Sequence, residues 1–112
     1  MLEFALPLPP SVNDMWVMRN GGLYKSARYK TWAEEAGWSV KRQMAGLSGF
    51  GKQQVEVEIC VPLDRRRDVD NFIKPALDLL QKMKVYRNDN QVARIKAERA
   101  DCTDILIKVR PI

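Results

Sequence analysis

The sequence predicts a single domain of the α/β class, α+β in type, with a mixed β-sheet, two helices and an N-terminal β-hairpin. Three observations support this prediction. Apolar and polar residues alternate in four separate stretches, as in half-buried strands, and two longer stretches have the spacing of amphipathic helices. No linker, repeat or low-complexity tract divides residues 1–112. A chain of this length forms one modest core.

The N-terminal half is expected to contain a strand, the hairpin and the first helix. LEFALPLP alternates apolar and polar residues until its prolines end the strand. In MWVMRNGGLYKS, Asn20-Gly21 supplies the positive φ angles that a tight hairpin turn needs. Ser26 is placed to cap a helix that runs to about Ala45, and Gly46 is its stop signal. The apolar face of that helix consists of Tyr29, Trp32, Ala33, Ala36, Val40 and Met44.

The C-terminal half predicts a strand, a second helix and two more strands. VEVEICV alternates cleanly and ends at Pro62, and FIKPALDLLQKM is amphipathic. Because Pro75 has no N–H, it is expected in the first helical turn. The helix would then start at Asn71 or Phe72, and residues 68–70 would form an extended approach to it. QVARIKAERA and DILIKVRPI predict a closing pair of strands joined near residues 101–104.

Composition narrows the range of functions. The net charge is +5, and residues 64–99 hold ten Lys/Arg and six Asp/Glu, so most of the positive charge lies there. Such a balance fits a nucleic-acid partner, although many basic proteins bind none. The chain has no histidine, which excludes Ser-His-Asp and Cys-His catalysis and histidine-ligated zinc. Hydrolysis would have to use carboxylates, lysine, tyrosine or a metal-bound water.

The remaining sequence signals indicate a cytoplasmic protein. Cys60 and Cys102, the only cysteines, lie in or beside predicted strands and are expected to be half-buried thiols in a reducing compartment. No apolar run approaches the roughly 20 residues that span a membrane. The N-terminal MLEFALPLPP lacks the features of a signal peptide.

Like charges are crowded in the stretch DRRRDVDNFIK, residues 64–74. In an extended backbone, Asp68 and Asp70 would project to the same side, roughly 6–7 Å apart. Two such carboxylates repel each other unless a cation lies between them. Magnesium fits, because it binds one or two carboxylates together with water and phosphate oxygens. The predicted helix N-terminus beside them favours anions such as phosphate.

Simpler structural roles are open for the same residues. An acid or amide before a helix often caps it, a lysine four residues before an aspartate forms an exposed ion pair, and Asn/Asp-rich loops are commonly turns. The basic side chains can equally form a solvated surface. Asp70 or Asn71 would be the helix cap, with Asp68 paired to a neighbouring arginine. Lys74 would pair with Asp78, and Asp89 would be a turn residue.

Three segments together resemble a known family. PPSVN, DRRRDVDNFIKPALDLL and NDNQV occur in the order and spacing of the RusA family of Holliday-junction resolvases. The resemblance covers nearly the whole chain, and its D-x-D-N-x-x-K core followed by an aspartate shortly before Gln-Val is specific. One position departs from the pattern. Related sequences can carry an acid immediately before the loop aspartate, where this chain has Asn88.

The resemblance implies a homodimeric, Mg²⁺-dependent endodeoxyribonuclease, with Mn²⁺ as a substitute cation. Such an enzyme resolves Holliday junctions, which are four-way DNA, by paired symmetric nicks in DNA recombination and repair. On the matching positions it implies metal-binding carboxylates at Asp68, Asp70 and Asp89, a catalytic Lys74 and a supporting Asn71. Contacts to the DNA backbone are expected from Arg65, Arg66, Arg67, Arg19 and Lys25. Two alternatives are a non-catalytic DNA-binding module of the same fold and a general structure-specific nuclease.

Overall fold

The computed structural model describes residues 1–64 and 66–112, without the side chains of Val12 and Asn13. The order of elements agrees with the predicted one and adds a short first helix and a 3₁₀ turn. The elements are β1 (Leu2–Leu6), α1 (Val12–Met15), β2 (Trp16–Arg19), β3 (Gly22–Lys25), α2 (Ala27–Gln43), β4 (Val55–Pro62), α3 (Asp70–Lys82), the 3₁₀ turn (Asp89–Gln91), β5 (Val92–Ala100) and β6 (Ile105–Pro111).

The main sheet is mixed, as predicted, and has the strand order β1-β6-β4-β5. Strand β6 is antiparallel to both β1 and β4, whereas β5 is parallel to β4. The predicted closing pair is therefore wrong, because β4 lies between β5 and β6. Residues 101–104 instead connect the two strands across the end of β4. Alternation predicts which face of a strand is buried and does not identify its neighbours.

One face of this sheet forms the core together with α2 and α3. In β4, Val55, Val57, Ile59 and Val61 are all at most 1% exposed. The apolar faces predicted for both helices contribute to the same core. Each fully buried aliphatic side chain of this kind stabilises the fold by about 1.5–3 kcal/mol relative to an exposed one. In the described part of the chain, no helix has the length and apolar composition needed to cross a membrane.

Local signals in the N-terminal half are confirmed. Asn20 (φ 50°) and Gly21 (φ 77°) form the tight turn between β2 and β3. The Ser26 hydroxyl accepts a hydrogen bond from the Tyr29 N–H at 3.1 Å and caps α2. Gly46 has φ 78° just beyond the end of α2. The predicted helix boundaries are therefore correct to within two residues.

The start of α3 differs from the prediction. The helix begins at Asp70, so Pro75 is its sixth residue rather than a first-turn residue. The N-cap is Val69, which has helical φ and ψ and no side-chain cap. Residues 68–72 form a tight turn, since the Asn71 N–H donates to the Asp68 carbonyl at 3.1 Å and Phe72 donates to Val69 in the same way. The predicted extended approach is therefore wrong.

Candidate active site

Helix α3 carries a polar stripe opposite its buried face. Asp70, Lys74 and Asp78 follow one another at four-residue intervals and therefore lie along one side of the helix. Lys74 Nζ lies 3.0 Å from Asp78 Oδ1. The ion pair expected between these two residues is thus present, and it lies within a longer row of charges.

The loop that carries Asp89 is docked against this helix. The Asp89 N–H donates to Gln81 Oε1 of α3 at 2.8 Å. Asn88 caps the 3₁₀ turn, because its side-chain oxygen accepts from the Asn90 N–H at 3.0 Å. Asn88 therefore has a structural role that its side-chain amide fulfils.

Gln91 anchors the same loop to the rest of the domain. Its side chain is only 7% exposed. Its Oε1 accepts from the backbone N–H groups of Arg87 and Asn88, both at 2.9 Å. Its Nε2 donates to the carbonyls of Gly51 and Gln53, both at 2.8 Å. All four side-chain hydrogen-bonding positions of this amide are used, which fixes the backbone beside Asp89.

Asp89, Asp78 and Lys74 form one electrostatic cluster. Burial raises the pKa of Asp89, and the nearby Asp78 carboxylate raises it further, whereas Lys74 opposes the shift. The hydrogen bond to Asp78 and its negative charge raise the pKa of Lys74, and Asp89 adds to this effect. Asp89 Oδ1 is buried and accepts no hydrogen bond from any residue that the structure describes. The cluster therefore contains a charge that the protein itself solvates poorly.

Tyr86 is a buried neighbour of this cluster. It is completely buried, and its hydroxyl donates to the Leu77 carbonyl at 2.8 Å. Burial, followed by the negative charge of Asp89, raises its pKa, so the phenol stays protonated. A protonated phenol in this position supports the loop without adding charge.

The other predicted ligands lie at the start of α3 and in the turn before it. Asp68 is exposed in the turn before α3, and Asp70 is exposed at the first helical residue, with the half-buried Asn71 next to it. Among residues 1–64 and 66–112, no three acidic or cysteine side chains are close enough to hold a metal ion together. The donor types still suit magnesium, which prefers carboxylate oxygens. The buried, unpartnered Asp89 Oδ1 is an atom that a cation would satisfy.

Asp78 is a component of the cluster that the sequence indicated only as a partner for Lys74. Its spacing, eight residues after Asp70 and four after Lys74, indicates that it lies on the same side of the helix as these two residues. Its proximity to Asp89 depends on how the loop folds back, which no local pattern predicts.

The predicted DNA-binding arginines have different environments. Arg65 lies outside the described residues. Arg66 is exposed, and its Nη2 lies 2.7 Å from Asp64 Oδ2. Hydrogen bonds from Arg66 lower the pKa of Asp64 to about 2. Arg67 is half-buried: it donates to the Pro9 carbonyl, and its guanidinium lies 5.2 Å from the Phe72 ring centre. Arg66 is thus exposed at the surface. Arg67 connects the loop between β4 and α3 to Pro9 of the PPSVN segment.

Arg99 braces this loop and was missed in the sequence. It donates to the carbonyls of Asp64 and Arg67, both at 2.7 Å. Nothing in the alternating pattern of β5 distinguishes it from the other charged residues of that strand.

The two basic residues of the hairpin are both exposed but lie at opposite ends. Arg19 pairs with Gly22 next to the turn, and Lys25 pairs with Trp16 at the base. Lys25 Nζ lies 5.2 Å from the Tyr29 ring centre of α2. The hairpin therefore offers two separate positive charges and no single basic patch.

Comparison with known proteins places this site in a wider context. A family model described as "Endodeoxyribonuclease RusA" matches residues 7–110. A crossover junction endodeoxyribonuclease RusA from Aquifex aeolicus (strain VF5) is 30% identical over 110 residues, covering 95% of this chain and 86% of the relative. A protein of the same name from Enterobacteria phage HK97 is 29% identical over 97 residues, covering 87% and 81%. The Escherichia coli (strain K12) protein is 29% identical over 101 residues, covering 90% and 84%.

Proposed function

The chain belongs to the RusA family of endodeoxyribonucleases, and from that premise we propose that it resolves Holliday junctions by paired, magnesium-dependent nicks. The relatives above are named for cleavage of crossover junctions. The observation that carries the proposal is the cluster of Lys74, Asp78 and Asp89. It brings the Lys74 ammonium group beside the half-buried carboxylate of Asp89, whose buried Oδ1 accepts no hydrogen bond from the described residues.

We assign the metal-binding role to Asp68, Asp70 and Asp89. Because no three such side chains among the described residues are close enough to share one ion, this role requires Asp68 and Asp70 to move towards Asp89 when the cation and DNA bind. When bound, magnesium lowers the pKa of the attacking water and neutralises charge on the scissile phosphate. Lys74, kept protonated by its acidic neighbours, stabilises the negative charge that develops on the phosphate oxygens. Asn71 precedes Lys74 by three residues, so it lies on the same side of α3 and supports the site. Arg66 is the described arginine best placed to exchange its Asp64 contact for a DNA phosphate.

Paired nicks require two such sites. One chain carries one DVDN motif, whereas a resolved junction is cut in two opposed strands. We propose a two-fold symmetric homodimer, whose symmetry matches the approximate two-fold symmetry of the substrate. Trp16 and Trp38 are 41% and 61% exposed and are candidate contact residues.

The proposal is tested on a synthetic four-way junction and a linear duplex of the same sequence, each with Mg²⁺, with Mn²⁺ and with EDTA. We expect symmetric nicks in the four-way junction but not in the linear duplex. Cleavage should occur with Mg²⁺ or Mn²⁺ and not with EDTA. Binding of the junction without cleavage would indicate a DNA-binding module instead. Equal cleavage of the duplex would indicate a general nuclease with little junction preference.

A further inference from the structure

We propose that Asp78 is a positioning residue of the active site, whose carboxylate holds the Lys74 ammonium group next to Asp89. This inference rests on the proposed function, because it requires that Lys74 takes part in cleavage. It concerns a residue for which the sequence indicated only a surface ion pair.

The lysine needs an external constraint. Its side chain is 77% exposed, and a lysine loses rotamer entropy when it is held in one conformation. The contact with Asp78, at 3.0 Å from Nζ to Oδ1, is the ion pair that Lys74 forms among the described residues. Asp78 lies one helical turn further along α3, so the contact directs the ammonium group along the helix towards the docked loop.

Stability alone explains this arrangement poorly. An exposed i,i+4 ion pair contributes little to the free energy of unfolding. Against this small gain, Asp78 lies close enough to Asp89 for the two negative charges to repel each other. Asp89 Oδ1 is moreover buried without a hydrogen bond from any described residue. A surface selected only for stability would not place a second acid here.

The helix also fixes the other half of the arrangement. Gln81, three residues after Asp78, accepts the Asp89 N–H at 2.8 Å. Successive turns of α3 therefore hold the lysine through Asp78 and the loop through Gln81. The distance between the lysine and the loop carboxylate is set by one rigid element, which favours a defined reaction geometry.

The inference is tested with a double-mutant cycle of Asp78→Asn, Lys74→Ala and the double variant, measuring kcat and KM on the four-way junction and the melting temperature. Asp78→Asn should lower kcat about tenfold, equivalent to about 1.4 kcal/mol, and change KM less than twofold. In the Lys74→Ala background, Asp78→Asn should lower kcat no further. Asp78→Glu, which keeps the charge, should recover part of the activity.

Glu3→Gln provides the matched control. It also removes one negative charge from an exposed ion pair, with Lys108 at 4.0 Å on β1 and β6, and it should leave kcat unchanged. Unchanged or faster turnover of Asp78→Asn, or an undiminished loss on top of Lys74→Ala, would overturn the positioning role. Normal turnover of Lys74→Ala would instead refute the proposed role of the lysine itself, and with it this inference.

Discussion

Gln91 allows the link between loop anchoring and activity to be tested quantitatively. Gln91→Met keeps the length of the side chain and removes all four of its hydrogen bonds, two accepted and two donated. Each bond contributes about 0.5–1.5 kcal/mol net. The Arg87 N–H and the Gly51 carbonyl keep their hydrogen bond to each other at 3.2 Å. Gln53 and Asn88 are exposed residues, so their freed backbone groups regain water. We therefore expect the free energy of unfolding to fall by about 2–3 kcal/mol, the lower end of the sum for four hydrogen bonds.

The assay for this variant is urea unfolding combined with junction cleavage. With a slope of about 1–3 kcal/mol/M, the midpoint should fall by on the order of 1–2 M. Turnover should fall as well, because Asp89 loses its fixed backbone. Gln43→Met is the control: Gln43 also forms backbone hydrogen bonds, to Ala5 at 2.8 and 3.1 Å, but on an exposed side chain. Equal shifts for the two glutamines, or intact stability of Gln91→Met, would refute the reasoning.

Three further predictions concern the aspartates and the assembly. Asp70→Asn should abolish cleavage and leave junction binding intact or tighter, because it removes a ligand and a negative charge that faces phosphate; normal cleavage in a gel assay would exclude Asp70 from the site. Asp89→Asn should abolish cleavage yet raise the melting temperature of the metal-free protein at neutral pH. Burial raises the pKa of Asp89, so its charged form costs stability above that pKa, and the cost disappears as the pH falls through it; an unchanged or lower melting temperature at pH 7 would contradict this. Light scattering in reducing buffer should give a mass of about 26 kDa, twice the 12.9 kDa of one chain; a monomer that makes paired nicks would refute the dimer.

The features that could be predicted from the sequence are those fixed by neighbouring residues. The Asn20-Gly21 turn needs positive φ angles, and the Ser26 cap needs a hydroxyl three residues before a free N–H. The alternation in β4 likewise reports a buried face. Each of these signals involves residues that are close together in the sequence, so the local structure that it predicts does not depend on the rest of the fold.

The features that could not be predicted depend on contacts between distant residues. Strand β6 is inserted between β1 and β4, and Arg99 braces a loop more than thirty residues before it. Asp78 and Asp89 meet only because the loop is docked by Gln81 and anchored by Gln91. Helix α3 begins one residue before the nearer predicted start for a different reason. The i→i+3 hydrogen bonds of the turn before it let the helix begin early enough to contain Pro75 in its second turn.

The structure also bears on the simpler roles that these acidic residues might have had. The N-cap of α3 is Val69, which forms no side-chain cap, and the N-cap of the 3₁₀ turn is Asn88. Neither Asp70 nor Asp89 is therefore a cap. Neither Asp68 nor Asp70 forms an ion pair within 4 Å among the described residues. Asp70 gains only the modest interaction of a first-turn acid with the helix dipole, about 0.3–1 kcal/mol. Among the described residues, the caps of α3 and of the 3₁₀ turn are therefore neutral residues, and neither cap explains Asp70 or Asp89.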